Sequence, residues 1–327
     1  MSFDFKKCKV CGAVFKTEGG LHGHIKKHKL TIQDYYTKYY PRKNKLTGDL
    51  LSFKWSPNAP TAAVKAAYFN IDFNTRDEMV EWCNTHSNKE DIKEYILKQL
   101  RIRIKDKKLK YGPNHLEIEI SKLPPIDIYK DIFGGYGQAC KELGLEPLYN
   151  KGINKNLFEK NSKVEEIEIH IDTREQKPLS FKNSKDNKLD FGDYTIGGDN
   201  YTYTYVDRKS ESDFKATLGK THFKRFREEI KRAKKFNSYI YIVTEKSLEQ
   251  IVKNNEYLKS QDLAGGINMS FILHNMRVLA HEFKDNCQFV FSGSRQKSEL
   301  LIPNLLYYGK LLWNVDIQYL LDHYDMD

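Results

Sequence analysis

Two groups of residues in this 327-residue chain have the types and spacing to do chemistry. In the first, Cys8 and Cys11 are followed by His24 and His28, a C-x2-C-x12-H-x3-H arrangement. Two thiolates and two imidazoles complete a tetrahedral shell for Zn2+. The two histidines stand four apart, so a helix carries both on one face. The second group is acidic: Asp172 and Glu175, then Asp193, then Asp207 with Lys209 two positions on. Strand side chains alternate, so Asp207 and Lys209 are expected on one face. Carboxylate oxygens suit Mg2+ or Mn2+. A metal so held lowers the pKa of a bound water and neutralises charge building on a phosphate. The lysine can hold or help deprotonate that water and stabilise the oxyanion.

These residues need elements to position them. Phe15 and Leu21 fall where a small ββα unit over residues 1–31 needs its core. In the region 32–151, Ile92, Ile96, Leu100 and Ile104 recur every four residues, which predicts an amphipathic helix within a mostly α middle region. Phe133-Gly134-Gly135 breaks one short helix, and Gly144 closes the next. The polar stretch 152–163 reads as a linker. From Val164 the pattern turns to strands over 165–173, 188–196, 200–209, 237–245 and 287–293. Helices over 212–218, 222–235, 270–284 and 294–313 alternate with them, predicting an α/β domain over 164–327. Cys83, Cys140 and Cys287 show no metal spacing and are expected as buried thiols. His222, His274 and His281 are expected at the surface or in packing.

The first group resembles a Cys2His2 zinc finger. In that family three helix positions read bases, and here they fall on Thr17, Gly20 and Gly23. Two of these have no side chain, so the expectation is a phosphate clamp using Lys16, Lys26 and Lys27, without base readout. The stretch Ile126–Leu145 resembles the helix-pair repeats found beside the catalytic domains of some homing endonucleases, on an F-G-aromatic-x-x-A-x-x-x-L-G-L frame. A helical spacer whose Phe133, Tyr136 and Leu143 are core fits equally well.

Ile171-Asp172-Thr173-Arg174-Glu175, then Gly192-Asp193-Tyr194, then Val206-Asp207-Arg208-Lys209-Ser210-x-x-Asp213 resembles the XPF-type endonucleases of the PD-(D/E)XK superfamily. The resemblance implies a restriction-endonuclease-like fold. It implies Asp172, Asp193 and Asp207 as magnesium ligands, Glu175 as a further acid of the site, and Lys209 as the catalytic lysine. Arg208 and Asp213 take supporting roles. Three features depart from the family pattern. Asp207 stands where the family has Glu, and Gly219 is followed by Lys220, Thr221 and His222 where an Arg is usual. No tandem helix-hairpin-helix module follows Asp213.

The charge pattern points to a polyanionic partner. The chain carries +10 overall, and residues 214–236 hold nine Lys or Arg against Glu228 and Glu229. Lys220, Lys224, Arg225, Arg227 and Lys231, with Arg208, are expected to meet DNA phosphates. No run of about 18 apolar residues occurs, which predicts no transmembrane helix, and no secretory signal opens the chain. Free cysteines fit a reducing, cytoplasmic setting, and Lys-, Asn- and Tyr-rich usage fits a phage or bacterial source. The expectation is a DNA endonuclease using Mg2+ or Mn2+, site-directed and of homing type, with a homodimer through the nuclease domain. A structure-selective repair or recombination nuclease and an inactive DNA-binding scaffold are the alternatives.

Overall fold

The computed structural model describes residues 6–53, 61–149, 161–260 and 267–323. Most of the expected linker, 152–160, therefore lies outside the described residues. The chain divides into two compact units, one of residues 1–96 and 122–132, the other of residues 97–121 and 133–327.

In the first unit, Lys7 and Val14 form an antiparallel bridge that leads into α1 (Glu18–Ile25), which Thr17 caps by accepting the Gly20 amide. Next comes α2 (Ile32–Tyr39), opened by a capping box between Thr31 and Asp34. The aromatic run on α2 is core. Tyr35, Tyr36 and Tyr40 are buried with Leu21, Ile25, Phe53 and Tyr68, so Cys8 and α1 sit in a wider hydrophobic cluster. Helices α3 (Thr61–Asn70) and α4 (Arg76–Thr85) follow, with α4 again opened by a capping box, Thr75 with Glu78. The predicted amphipathic helix is α5 (Lys89–Lys107), burying Ile92, Ile96 and Leu100. The division between the units falls within α5. Helices α6 (His115–Ser121), α7 (Ile126–Phe133) and α8 (Tyr136–Glu142) complete the middle region. A second division, after Ile132, assigns most of α7 and all of α8 to different units.

Helix α9 (Ser162–Glu166) leads into the six-stranded sheet on which the second unit is built, in the order β2-β1-β3-β4-β5-β6. Its strands are β1 (Ile169–Asp172), β2 (Ser184–Asn187), β3 (Tyr194–Ile196), β4 (Thr204–Lys209), β5 (Tyr239–Thr244) and β6 (Cys287–Phe291). β4, β5 and β6 run parallel, and β3 lies antiparallel to both β1 and β4. All six residues of β5 are buried, as expected of a central strand covered on both faces. One face packs on α10 (Glu211–Thr217), α11 (Phe223–Lys235) and α13 (Met269–Glu282) through Phe214, Phe226, Ile230, Met276 and Leu279. The other packs on α14 (Arg295–Tyr308) through Leu301, Ile302 and Leu305.

Five sequence expectations change here. β2 was not predicted, because its four exposed residues, Ser-Lys-Asp-Asn, show no apolar alternation. Helix α12 (Leu248–Ser260) was also missed, as was α15 (Ile317–His323). The strand expected from residue 188 begins only at Tyr194, because Gly192 turns the chain at φ +56. The helix expected to 313 ends at Tyr308, where Gly309 takes φ +46 close against Thr202. Cys83, Cys140 and Cys287 are free and buried, as expected. Among the described residues no helix is long and apolar enough to cross a membrane.

Candidate active site and metal centre

β4 sets the geometry of the acidic site by alternation. Val206 points to the α14 face and joins the core there, while Tyr205 joins the core on the α11 face. Asp207 and Lys209 therefore point toward α11, and their side chains meet at Nζ–Oδ1 2.6 Å. Lys209 also lies 5.6 Å from the centre of the Phe226 ring. Burial works against the Lys209 charge, but Asp207 outweighs it and the pKa rises above the ordinary lysine value. Lys209 therefore stays an ammonium and a hydrogen-bond donor.

Asp193 reaches the site from the turn before β3. Its backbone N–H donates to Val206 O at 2.8 Å, and its Oδ2 accepts the Arg208 amide at 2.7 Å. The turn requires Gly192: a Cβ there would sit 2.7 Å from Val206 O, at a positive φ that L side chains rarely adopt. Burial and then the Asp207 charge push the Asp193 carboxyl up to about 8. Two acids so placed repel each other in a low-dielectric setting, and the Lys209 ammonium offsets only part of that for Asp193.

Other predicted site residues are held differently. Asp172 was expected to be a metal ligand. Arg174 donates to it through Nε and Nη2 at 2.7 and 2.8 Å, and the Arg174 and Leu189 amides add bonds of 2.7 and 2.9 Å. Both its oxygens are engaged, and these bonds hold its carboxyl down at about 2. Asp172 thus serves the turn, while its own amide donates to Asp193 O at 2.8 Å. Glu175, also expected in the acidic group, pairs with Arg208 Nη2 at 2.9 Å. Arg208 was expected to meet phosphates, yet its side chain is only 9% exposed and its Nη1 bonds Glu245 at 2.8 Å. It lies on the α14 side of β4, because alternation turns it away from Lys209.

A cavity of about 190 Å3 opens beside Lys209, lined by Thr217, His222, Arg225, Phe226 and Glu229. Lys220, Lys224 and Arg225 are exposed, as a phosphate-facing role requires. Arg227 is tied to Glu282 at 2.7 Å and Lys231 to Glu228 at 3.5 Å, both near the surface. Sequence reasoning passed over Glu229, although its place in the helical repeat was legible. It follows Phe226 by three and precedes Ala233 by four, and both neighbours are buried.

In the first unit the ligand atoms of Cys8, Cys11, His24 and His28 lie within 4.8 Å of one another. Cys11 Sγ is 3.1 Å from His24 Nε2, and Cys8 Sγ is 3.7 Å from His28 Nε2. Tetrahedral zinc bonds of about 2.0–2.3 Å imply ligand separations of roughly 3.3–3.8 Å; the 3.7 Å pair falls in that range, the 3.1 Å pair lies just below it, and the donor types suit zinc. Among the described residues this is the one gathering of three or more His, Cys, Asp or Glu ligand atoms. Lys16, Lys26 and Lys27 are exposed around it. Thr17 already caps α1, so none of the three base-reading positions offers a free side chain.

The ERCC4 domain family model matches residues 152–305. No curated protein matches the chain. Solved structures similar to it include XPF from Aeropyrum pernix and XPF from Aeropyrum pernix in complex with DNA, each 16% identical over 43% of this chain. Their TM-scores are 0.32 and 0.31. The matches span 66% and 63% of those structures, just under two thirds of their length. The residues that match the ERCC4 domain model, 152–305, include Asp193, Asp207 and Lys209.

Proposed function

We propose that the chain is a metal-dependent DNA endonuclease whose site is Asp193, Asp207 and Lys209. The observation that carries this is the meeting of Asp207 and Lys209 on one face of β4, with Asp193 held beside them, inside an ERCC4 domain. Asp193 and Asp207 would hold the metal, and no described donor engages Asp193 Oδ1. Mg2+ or Mn2+ bound there supplies an activated water and neutralises charge on the phosphate. Lys209, kept charged by Asp207, donates to a non-bridging phosphate oxygen or holds the attacking water. Asp172 with Arg174, and Arg208 with Glu175 and Glu245, fix the backbone that aims these groups. Arg225 and His222 at the cavity, with Lys220 and Lys224 nearby, steer the DNA backbone. Cys8, Cys11, His24 and His28 would hold Zn2+, and Lys16, Lys26 and Lys27 would clamp phosphates.

The Phe133–Leu145 frame supports a site-directed, homing-type role. One observation favours structure selection instead: Thr17 is engaged as a cap and Gly20 and Gly23 carry no side chain, leaving the finger no base reader. The test is cleavage in Mg2+ of linear duplex, plasmid, flap, splayed arm and four-way junction, with Lys209→Ala and Asp193→Asn alongside. Cleavage by wild type and by neither variant supports the nuclease, and preference for branched or linear substrates separates the two roles. Tight binding without cutting by any form, in Mg2+ or Mn2+, overturns the reading in favour of a scaffold.

A further inference from the structure

The cavity of about 190 Å3 beside Lys209 is lined by three basic side chains, Lys209, His222 and Arg225, with Thr217, Phe226 and a single acid, Glu229. Neither Asp193 nor Asp207 lines it, so it lies beside the acids of the site and not around them. Its volume is below the roughly 300–1,000 Å3 of pockets that enclose a drug-sized molecule, and suits one small group. Several cations of this face are spent on acids or carbonyls. Lys209 meets Asp207 at 2.6 Å, Lys215 meets Glu211 at 2.6 Å, Arg227 meets Glu282 at 2.7 Å, and Arg232 donates to Asp190 O at 2.9 Å. The side chains of Arg225 and His222 have no such partner among the described residues, and both residues are exposed. Burial and then the Asp207 charge hold the Glu229 carboxyl above its ordinary range, which lessens the repulsion it offers an anion. A planar guanidinium, an imidazole and a hydroxyl lining one small space are the donors that phosphate oxygens accept from.

We propose that this cavity is a phosphate site separate from Asp193 and Asp207, and that it takes the backbone phosphate next to the one being cut. Arg225 offers its fork to two oxygens of that phosphate, and His222 and Thr217 donate to the others. Lys209, on the wall that the cavity shares with Asp207, stands between the two phosphates. The placement next to the cut rests on the nuclease reading above; the affinity of the cavity for phosphate does not. Unlike a general attraction to the DNA backbone, a discrete site holds one linkage at a fixed step from the cut and so sets where along the strand hydrolysis falls. It also gives His222, expected at the surface or in packing, a contact with substrate.

The experiment titrates inorganic phosphate into the full chain, with zinc in the finger and no Mg2+ or Mn2+ added. The His222 ring and Arg225 Nε–H signals are followed by NMR in wild type, Arg225→Ala, Arg225→Lys, His222→Ala and Lys235→Ala, with thermal unfolding in parallel. Both signals are expected to shift together in wild type. Arg225→Ala is expected to weaken phosphate at least about 10-fold, read at His222. Arg225→Lys, which keeps the charge and loses the fork, should fall between, and Lys235→Ala, exposed at the far end of α11, should match wild type. No response of either signal, or equal losses in Arg225→Ala and Lys235→Ala, overturns the inference in favour of diffuse surface charge. A methylphosphonate, which removes the charge of one linkage, is then stepped along the cut strand in Mg2+. Wild type is expected to slow at the cut linkage and at one neighbour, and Arg225→Ala to lose sensitivity at that neighbour alone. Cleavage indifferent to every neighbouring linkage overturns the placement beside the cut and leaves the nuclease reading standing. Phosphate bound as expected by a chain that cuts no DNA overturns the nuclease reading and leaves the phosphate site.

Discussion

Replacing Arg208 with Met separates the two roles that its sequence position allows. The guanidinium pairs with Glu175 at 2.9 Å and Glu245 at 2.8 Å, and the side chains of Arg208 and Glu175 are each 9% exposed. Removing the cation leaves Glu175 charged and half-stranded, retaining only the Lys177 amide at 2.7 Å. Glu245 keeps Arg295 at 3.1 Å. Breaking a buried pair costs about 3–5 kcal/mol. The surviving partner of Glu245 places the loss nearer 3, a fall in Tm of roughly 10 °C. The bond from the Arg208 amide to Asp193 is made by backbone and survives the change. Adding Glu175→Gln removes the stranded charge and is expected to recover about 1–2 kcal/mol. Denaturant unfolding of the single and double variants reads both numbers, and DNA affinity measured against salt reads the rest. A buried Arg208 leaves the salt slope unchanged. A variant stable to within about 1 kcal/mol whose slope falls by about one phosphate contact would refute the structural placement and restore the phosphate role.

Three further outcomes follow from the same geometry. Gly192→Ala is expected to lose at least about 2 kcal/mol, since it adds a backbone clash at Val206 O to the strain of a positive φ. Gly48→Ala, also at positive φ but in open space, is expected to lose only about 1 kcal/mol; thermal unfolding compares them, and cleavage should fail in the first alone. Metal analysis of the purified chain is expected to find one zinc, lost in Cys11→Ser; because Leu21 and Ile25 share a core with Tyr35 and Tyr36, losing it should loosen the first unit as well as the finger, read as faster amide exchange over α1 and α2. Glu211 gives a pH signature. Burial opposes its charge, but Lys215 at 2.6 Å, Lys246 at 2.8 Å and Asn254 at 3.1 Å bring its carboxyl from 4.5 down to about 2. A depressed acid stabilises the fold above its unfolded pKa and loses that contribution as pH falls toward the folded one. The stability advantage of wild type over Glu211→Gln should therefore be full above about pH 5 and vanish near pH 2. Lys246 is half-exposed, so screening cuts the gross figure to about 1.5 kcal/mol. An advantage that grows on acidification would contradict this assignment.

What the sequence could convey was local: residue type, spacing and the face a residue takes within its own element. Asp207 and Lys209 were legible because a strand alternates with period two, and the gathering of Cys8, Cys11, His24 and His28 was legible because it spans only residues 8 to 28. β2 was illegible because an exposed edge strand of four polar residues carries no burial pattern. The site residues whose partners the sequence did not announce share one physical cause. Arg208 meets Glu175 across 33 positions and Glu245 across 37, and nothing local announces which acid a buried arginine will neutralise. Asp172 shows the same failure at short range: Arg174 stands two residues away in plain view, but whether it turns back onto Asp172 or outward to DNA depends on Leu189, whose amide and carbonyl complete the cage. Pairing of charges is thus a tertiary property. Acids that find an arginine become scaffold. On the proposed nuclease reading, Asp193 and Asp207, left beside Lys209, are the acids that would hold the cation.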